Sequence, residues 1–298
     1  MDRRPTGVLL AVGDELLNGD VRDLNLYRLS RGLTRLGVHV VEARLVRDAH
    51  AEIEAALRAL LARAPDVLIV SGGLGPTEDD RTLSAVAEAV GLSLVENAEA
   101  RRLVEARYGR LLEAGHLSQP SPEEIRRKMA RLPEGAAPLP NSRGTAPGVA
   151  LTYRTTRLYC LPGVPAELEA LFTQEVARDL QHHLDLGAWV EAEMTVFCRD
   201  EARVAVPLRE TAARHPEVYL KSLARPFPEA LDGALHIIAA AHAPDATTAR
   251  ERVQAALHEL QQQLEAAGLT AKWEKSNFSW PPPIPRGIES TLGKSPRG

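Results

Sequence analysis

Three acidic residues follow a glycine-rich turn in the segment DVLIVSGGLGPTEDDRT, residues 66–82. The turn comes directly after a short apolar run, and turns of this kind commonly cradle phosphate through backbone N–H groups. Gly72, Gly73 and Gly75 can approach phosphate oxygens closely because glycine has no Cβ. The acids at 78–80 would repel the same phosphate, so the pattern requires a group that lets both bind.

A divalent cation is that group. Two like unit charges 4 Å apart repel by about 4 kcal/mol near a protein surface, and a cation that bridges carboxylate and phosphate reverses the sign. Hard oxygen ligands suit Mg²⁺ or a similar ion. The sequence therefore predicts a metal–phosphate site at this turn, with Asp80 beside the metal and Thr77 beside the substrate.

Two other acids follow apolar runs that are typical of strands. Asp14 stands in AVGDELLNG and Asp48 in LVRDAH. Because ligands bind outside the carboxyl ends of strands in an open parallel sheet, we expect Asp14, Asp48 and Asp80 to converge at one edge of the sheet.

Each acid also has a purely structural interpretation. Asp48 could cap the helix that follows it. The acids at 78–80 would be favourable in a first helical turn, and Thr77 and Asp80 have the spacing of a capping box. The convergence of all these acids beside one glycine turn favours the functional interpretation.

Two further turns are rich in proline and glycine, LPNSRGTAPG at 139–148 and LPGVP at 161–165. The second runs into a helix N-terminus, which favours anions. Either turn could instead be a rigid connection. The residues predicted to line the substrate from these turns are Asn141, Gly144, Gly148, Pro162 and Gly163.

The elements that must position these residues alternate along the chain. Apolar runs separated by leucine spacings of three and four give a strand–helix order that predicts a parallel sheet with helices on both faces over residues 1–184. From 185 to 270 the order changes to β-α-β-β-α, a small α+β domain. Residues 271–298 contain a proline triplet, serine and glycine, and are predicted to be a disordered tail.

Composition excludes several classes of function. The 298-residue chain is 44% hydrophobic with a net charge of −4, which argues against nucleic-acid or membrane partners. Cys160 and Cys198 have no metal-type spacing and are predicted to be buried, reduced thiols. The first apolar run is too short for a signal peptide, so we expect a cytoplasmic protein.

Four segments together resemble one family: AVGDELLNGDVRDLN, SGGLGPTEDDRT, LPNSRGTAPG and LPGVPAELE. They are similar to CinA, the competence/damage-inducible protein A family, over residues 6 to about 180. The resemblance implies a three-layer α/β/α sandwich of the MoCF (MoaB/MogA-like, molybdopterin-binding-like) type and a homodimer. It also implies a metal-dependent ADP-ribose pyrophosphatase that forms AMP and ribose 5-phosphate. Asp48 and Asp80 match the positions near the metal and the diphosphate. The resemblance thus implies that both are metal ligands and catalytic residues, with Asp14 or Glu15 in support.

The region 185–270 resembles the KH-like middle domain of CinA proteins. Nucleic-acid-binding KH domains use a G-x-x-G loop, but the only glycines between 188 and 270 are Gly233 and Gly268, so nucleic-acid binding is not expected. A C-terminal amidase domain is not expected either. The alternative function is molybdopterin or nucleotide binding without turnover. The acids of GPTEDD favour hydrolysis, since carrier relatives look more like GTGxTxRD there.

Overall fold

The computed structural model describes residues 3–119, 121–198, 200–223 and 234–274. The elements up to residue 183 are β1 (Thr6–Val12), α1 (Asp14–Leu17), α2 (Asn25–Arg35), β2 (His39–Val46), α3 (His50–Leu61), β3 (Val67–Ser71), α4 (Thr82–Val90), β4 (Leu94–Glu96), α5 (Ala98–Glu113), α6 (Glu123–Met129), β5 (Arg131–Pro133), β6 (Ala137–Leu139), β7 (Gly148–Tyr153), β8 (Thr156–Leu161), α7 (Pro165–Leu171) and, after a π-helical turn (Phe172–Val176), α8 (Ala177–His183). The later elements are β9 (Ala188–Phe197), α9 (Ala202–Arg214), β10 (Val218–Leu223), β11 (Ala234–Ala243), α10 (Ala246–Ala266) and β12 (Thr270–Glu274).

A six-stranded sheet forms the centre of the first part, with strand order β2-β1-β3-β8-β7-β6. The pairs β1–β2, β1–β3 and β3–β8 are parallel, and β7 is antiparallel to both of its neighbours. Alternate residues of β1 point to opposite faces: Leu10 packs with α3 and α4, while Leu9 packs with α2 and α7. The predicted mostly parallel α/β/α sandwich is confirmed.

The second part contains a four-stranded sheet in the order β10-β11-β9-β12, in which every pair is antiparallel. Helices α9 and α10 pack on it through buried side chains that include Val204, Leu257 and Leu260. This unit is the small α+β region that the sequence pattern predicts after residue 184.

Strand β12 corrects one prediction. The disordered tail was expected from residue 271, but Thr270–Glu274 pairs with β9. Ala271 is buried and Trp273 packs against the same core, so this segment has the alternation of a half-buried strand, which the proline-rich composition beyond it concealed. The rest of the predicted tail, 275–298, lies outside the described residues.

The two parts meet through a charged contact. Glu191 of β9 accepts hydrogen bonds from Arg31 (2.9 Å) and Arg35 (2.8 Å) of α2, and its side chain is only 10% exposed. The guanidinium of Arg4 lies over the Trp189 ring, 4.7 Å from its centroid. The two arginines hold α2 against β9, and the contact of Arg4 with Trp189 holds the residues before β1 against the same strand.

The predicted state of both cysteines is confirmed, since Cys160 and Cys198 are free and buried. Burial raises the pKa of the Cys160 thiol to about 12, so this sulfur stays protonated and unreactive near neutral pH. Within the described ranges, no helix has the length and apolar character needed to cross a membrane.

Candidate functional site

The carboxyl ends of three neighbouring strands bring the candidate residues together. β1, flanked by β2 and β3, ends at Val12, and its partners end at Val46 and Ser71. Because the three strands are parallel, the loops that follow them leave the sheet at the same edge. This edge carries the first two predicted acids and the glycine turn.

The side chains of Asp14 and Asp48 each accept a hydrogen bond from the backbone amide of the other residue. The amide of Asp14 donates to Asp48 Oδ2 (2.8 Å), and the amide of Asp48 donates to Asp14 Oδ1 (3.2 Å). The next helix, α3, has Ala49 at its N-cap position and receives no side-chain cap. Asp48 therefore ties two strand-end loops together and does not cap α3, so the capping interpretation of this residue is wrong.

Asp48 lies in a crowded acidic environment. Burial raises the pKa of its carboxyl group, and the charges of Glu15, Asp14 and Asp79 raise it further, while the hydrogen bond from the Asp14 amide acts in the opposite direction. Among the acids that follow the glycine turn, Asp79 is thus the one whose charge acts on Asp48. Like charges held this close favour binding of a cation.

Asp80 is turned toward its own loop. Its Oδ2 accepts hydrogen bonds from the Thr77 amide (2.8 Å) and hydroxyl (2.6 Å), and its amide donates to the Thr77 carbonyl (3.1 Å). The capping-box spacing thus produces real hydrogen bonds, but in a turn, because α4 starts only at Thr82. The interpretation of 78–80 as a first helical turn is wrong.

Asp48 and Asp80, the predicted pair of metal ligands, do not belong to a cluster of three or more metal-binding side chains within the described ranges. A cluster of this kind among the described residues lies on helices α3 and α4. Asp80 Oδ1 accepts no hydrogen bond from the described residues and is available to a ligand. A shared metal at these two acids is therefore a proposal to be tested by binding.

Backbone conformation and close packing require glycine in this turn. Gly72 (φ 100°) and Gly73 (φ 65°) have left-handed backbone angles, which L residues with a Cβ rarely adopt. A Cβ on Gly72 would overlap the Val12 carbonyl oxygen, and one on Gly73 would overlap the Thr82 hydroxyl. A Cβ on Gly75 would lie 2.7 Å from Asp80 Oδ2. The turn therefore packs directly on the end of β1 and on the start of α4.

A cavity of about 230 Å³ lies beside this turn, between it and the segment from α6 to β5. Gly73, Gly75 and Asp80 line one part of it, and Lys128 and Arg131 line another. The Lys128 ammonium donates to the Thr77 carbonyl. Basic side chains thus stand opposite the acidic turn, which gives an anionic ligand direct partners of opposite charge.

Sequence reasoning missed these cations. Lys128 and Arg131 belong to a basic run, EEIRRKMAR, about fifty residues after the turn. The spacing of that run identifies a helix but not which of its cations faces the glycines, because that depends on how α6 packs. Arg127, by contrast, pairs with Glu96 at 2.9 Å.

The turn between β8 and α7 lies next to the glycine turn. It contains the predicted residues Pro162 and Gly163, and a Cβ on Gly163 would lie 3.4 Å from Gly72 Cα. The Gly163 carbonyl accepts a hydrogen bond from Asn25 Nδ2 (2.7 Å). Asn25 is a second residue that sequence reasoning missed. It is buried, and its Oδ1 has no hydrogen-bond partner among the described residues.

The loop at 139–148 makes mainly internal contacts. Asn141 Nδ2 donates to the Ala146 carbonyl and to Glu167 Oε2, each at 2.8 Å, while Asn141 Oδ1 accepts from the amides of Arg143 (3.0 Å) and Gly144 (2.8 Å). The side-chain amide of Asn141 thus has no donor or acceptor left to bind a ligand. These contacts match the rigid-connection interpretation of this loop.

The two glycines of that loop serve packing. A Cβ on Gly144 would overlap the carboxylate of Glu167, which stands in the first turn of α7. Gly148 is the first residue of β7, where a Cβ would lie 3.3 Å from Leu139 and Leu171. Because Glu167 already places a negative charge at the start of α7, a phosphate is more favourable at the glycine turn and the basic residues opposite it.

The chain is similar in sequence to a family of known proteins. A family model described as a probable molybdopterin binding domain matches residues 8–182. Protein TK1472 of Thermococcus kodakarensis is 41% identical over 206 residues, which cover 69% of this chain and 80% of that protein. A CinA-like protein of Frankia casuarinae is 42% identical over 172 residues, 58% of this chain and 39% of that protein.

A solved structure is also similar, that of CinA, described as of unknown function, from Thermoplasma acidophilum. It shares 32% sequence identity with a TM-score of 0.51, and the match covers 59% of this chain and 96% of that chain.

Proposed function

Since the chain belongs to the probable molybdopterin binding domain family, in its CinA-like branch, we propose that it hydrolyses the diphosphate of ADP-ribose to AMP and ribose 5-phosphate in a reaction that depends on a divalent metal. One observation carries the proposal: carboxylates from the ends of two neighbouring strands meet beside a glycine turn that faces basic side chains. Diphosphate chemistry needs both kinds of group.

The donor set fits a hard divalent cation. Asp14, Glu15 and Asp79 all act on Asp48 as like charges, and a bound cation would remove that repulsion. Carboxylate oxygens are the ligands that Mg²⁺ and Mn²⁺ prefer. We assign Asp48 as the metal-holding carboxylate. Asp80, which Thr77 fixes through one oxygen, offers its other oxygen to the metal or to a water.

The remaining residues would bind the diphosphate. When bound, the metal would neutralise phosphate charge and lower the pKa of an attacking water. The backbone of Gly73 and Gly75 borders the cavity from one side, and Lys128 and Arg131 supply positive charge from the other. At about 230 Å³ the cavity is smaller than the roughly 300–1,000 Å³ of a typical small-molecule site, so it would take the diphosphate and leave the nucleoside outside.

A phosphorus NMR time course with ADP-ribose and Mg²⁺ tests this function. Wild-type protein should produce AMP and ribose 5-phosphate, and Asp48→Asn and Asp80→Asn should each lower the turnover by a factor of about 100 or more. Asp185→Asn, which removes an exposed acid outside the site, should retain full activity. Absence of AMP from the wild type with either Mg²⁺ or Mn²⁺ would refute hydrolysis. Unchanged turnover in both site variants would refute the roles assigned to Asp48 and Asp80.

A second function, molybdopterin or nucleotide binding without turnover, is favoured by the description of the matching family. Calorimetric titration separates the two. Tight binding of a pterin together with no product from ADP-ribose supports the carrier, whereas ADP-ribose binding followed by release of AMP supports the hydrolase.

A further inference from the structure

Three potential metal ligands from two helices converge outside the proposed diphosphate site. His50 and Glu54 lie one turn apart on α3, and Glu88 lies on the neighbouring helix α4. One ligand atom from each side chain lies within 4.8 Å of the other two. The positions i and i+4 put His50 and Glu54 on the same face of α3, so two side chains of one helix face a third from the next.

One pair in the cluster, His50 and Glu88, has a spacing close to that of two ligands around one metal ion. His50 Nε2 and Glu88 Oε2 are 3.5 Å apart, longer than the 2.7–3.2 Å of a normal N–H···O hydrogen bond. Two ligands of a tetrahedral zinc ion, each about 2.05 Å from the metal, are separated by about 3.3 Å. The two side chains therefore need to move little to share one ion.

Neighbouring groups hold the cluster in place. Arg58, one further turn along α3, pairs with Glu54 Oε1 at 2.7 Å and donates to the backbone carbonyl of Glu88 at 3.2 Å. This leaves Glu54 Oε2 available, and an outer hydrogen bond of this kind orients a ligating carboxylate. Arg58 can neutralise only one of the two carboxylates. A bound cation would compensate the other.

The helices that carry the ligands are packed into the core. α3 and α4 pack on the sheet and on each other through buried side chains that include Ile53, Leu57 and Ala85. Rigid elements hold ligands more precisely than loops do.

We propose that His50, Glu54 and Glu88 form a second metal site, distinct from the carboxylate edge, that takes a borderline divalent ion such as Zn²⁺. One imidazole with two carboxylates is a donor set that suits Zn²⁺ better than Mg²⁺, which prefers oxygen ligands alone. The ion would tie α3, which follows the loop of Asp48, to α4, which follows the glycine turn.

Calorimetric titration of the full chain with Zn²⁺, with Co²⁺ absorption as a second readout, tests the site. The wild type should bind one ion here. His50→Gln and Glu88→Gln should each weaken this binding at least about tenfold. His116→Gln and Glu52→Gln, which change an exposed histidine and an exposed acid outside the cluster, should bind as the wild type does.

Asp48→Asn separates this site from the proposed hydrolase. It should keep the Zn²⁺ affinity while losing ADP-ribose turnover, so each proposal can fail without the other. The second site is refuted if the wild type binds no Zn²⁺. It is equally refuted if His50→Gln and Glu88→Gln bind Zn²⁺ with wild-type affinity, or if Asp48→Asn alone abolishes the binding.

Discussion

At the scale of single residues, the carboxylate of Asp48 is more costly to ionise in the folded chain than in the unfolded chain, because burial and neighbouring acids raise its pKa. The cost is absent at low pH, where the group is protonated in both states, and it appears as the pH rises through the folded-state pKa. Without divalent metal, Asp48→Asn should therefore raise the melting temperature at pH 7.

Thermal unfolding in EDTA between pH 4 and pH 8 measures this effect. The gain from Asp48→Asn should shrink as the pH is lowered, and Asp185→Asn should show no such trend. A gain that is independent of pH, or a loss at pH 7, would mean that the crowding of acids around Asp48 is not what determines its contribution to stability.

Lys128 offers a test of the basic side of the cavity. Lys128→Met should raise the KM for ADP-ribose about tenfold or more, since a hydrogen bond to a charged group contributes roughly 1.5–3 kcal/mol. Arg127→Met is the matched control, because Arg127 is engaged with Glu96. Steady-state kinetics of both variants give the comparison. Equal KM values would remove Lys128 from the binding surface.

Residue types and their positions after strands could predict part of this site. Asp14 and Asp48 could be placed together because parallel neighbouring strands end at one edge of a sheet. The different orientations of Asp79 and Asp80 could not be predicted, since adjacent residues of a turn differ through local hydrogen bonds. Lys128 and Asn25 could not be found either, because tertiary packing alone brings them to the glycine turns.

At the scale of elements, the glycine turn should tolerate no side chain at its first position. Gly72→Ala would place a Cβ against the Val12 carbonyl oxygen at a left-handed φ of 100°, and should destabilise the fold by about 2 kcal/mol or more. Gly109→Ala is the matched control, since Gly109 lies within α5 with open space around it. That change should stabilise by about 0.5–1 kcal/mol.

Urea unfolding of the two variants decides the point. Opposite signs of the change in unfolding free energy are expected. A neutral Gly72→Ala would mean that the turn can leave the end of β1, and that its position beside the acids is not fixed by packing.

The order of elements was largely predictable because helical leucine spacing and short apolar runs alternate regularly in the first part of the chain. β12 was not predicted. Its five residues precede a proline-rich stretch. Composition averaged over that stretch hides the pattern that places Ala271 and Trp273 on the same face of a strand. The antiparallel pair β4–β5 was also unpredictable, since strands of three residues carry too little pattern.

At the scale of the whole molecule, Glu191 joins β9 of the second sheet to helix α2 of the first part. Burial acts to raise the pKa of Glu191, but Arg35, Trp189 and Arg31 lower it overall. Its contribution to stability is therefore present above the ordinary glutamate pKa and is lost as the pH falls through the lower folded value. Glu191→Gln should destabilise by about 3–5 kcal/mol at pH 7, because it removes a buried carboxylate that accepts hydrogen bonds from Arg31 and Arg35.

Chemical denaturation at pH 7 and near pH 4 measures the effect of Glu191→Gln. The loss should be smaller at the lower pH, and Glu52→Gln, an exposed acid of α3, should change little at either. An equal loss at both pH values would show that Glu191 acts through packing and not through charge.

The homodimer expected from the family resemblance is a separate question for the whole molecule. Light scattering coupled to size-exclusion chromatography should give twice the chain mass at micromolar concentration, and a monomer mass would remove that expectation without touching the site.

The most direct test of the proposed function is anomalous diffraction from a crystal grown with Mn²⁺ and a non-hydrolysable ADP-ribose analogue. We expect a manganese peak within coordination distance of Asp48, and the diphosphate between Gly73–Gly75 and Lys128. Absence of manganese from the strand-end carboxylates, or a diphosphate bound elsewhere on the molecule, would contradict it.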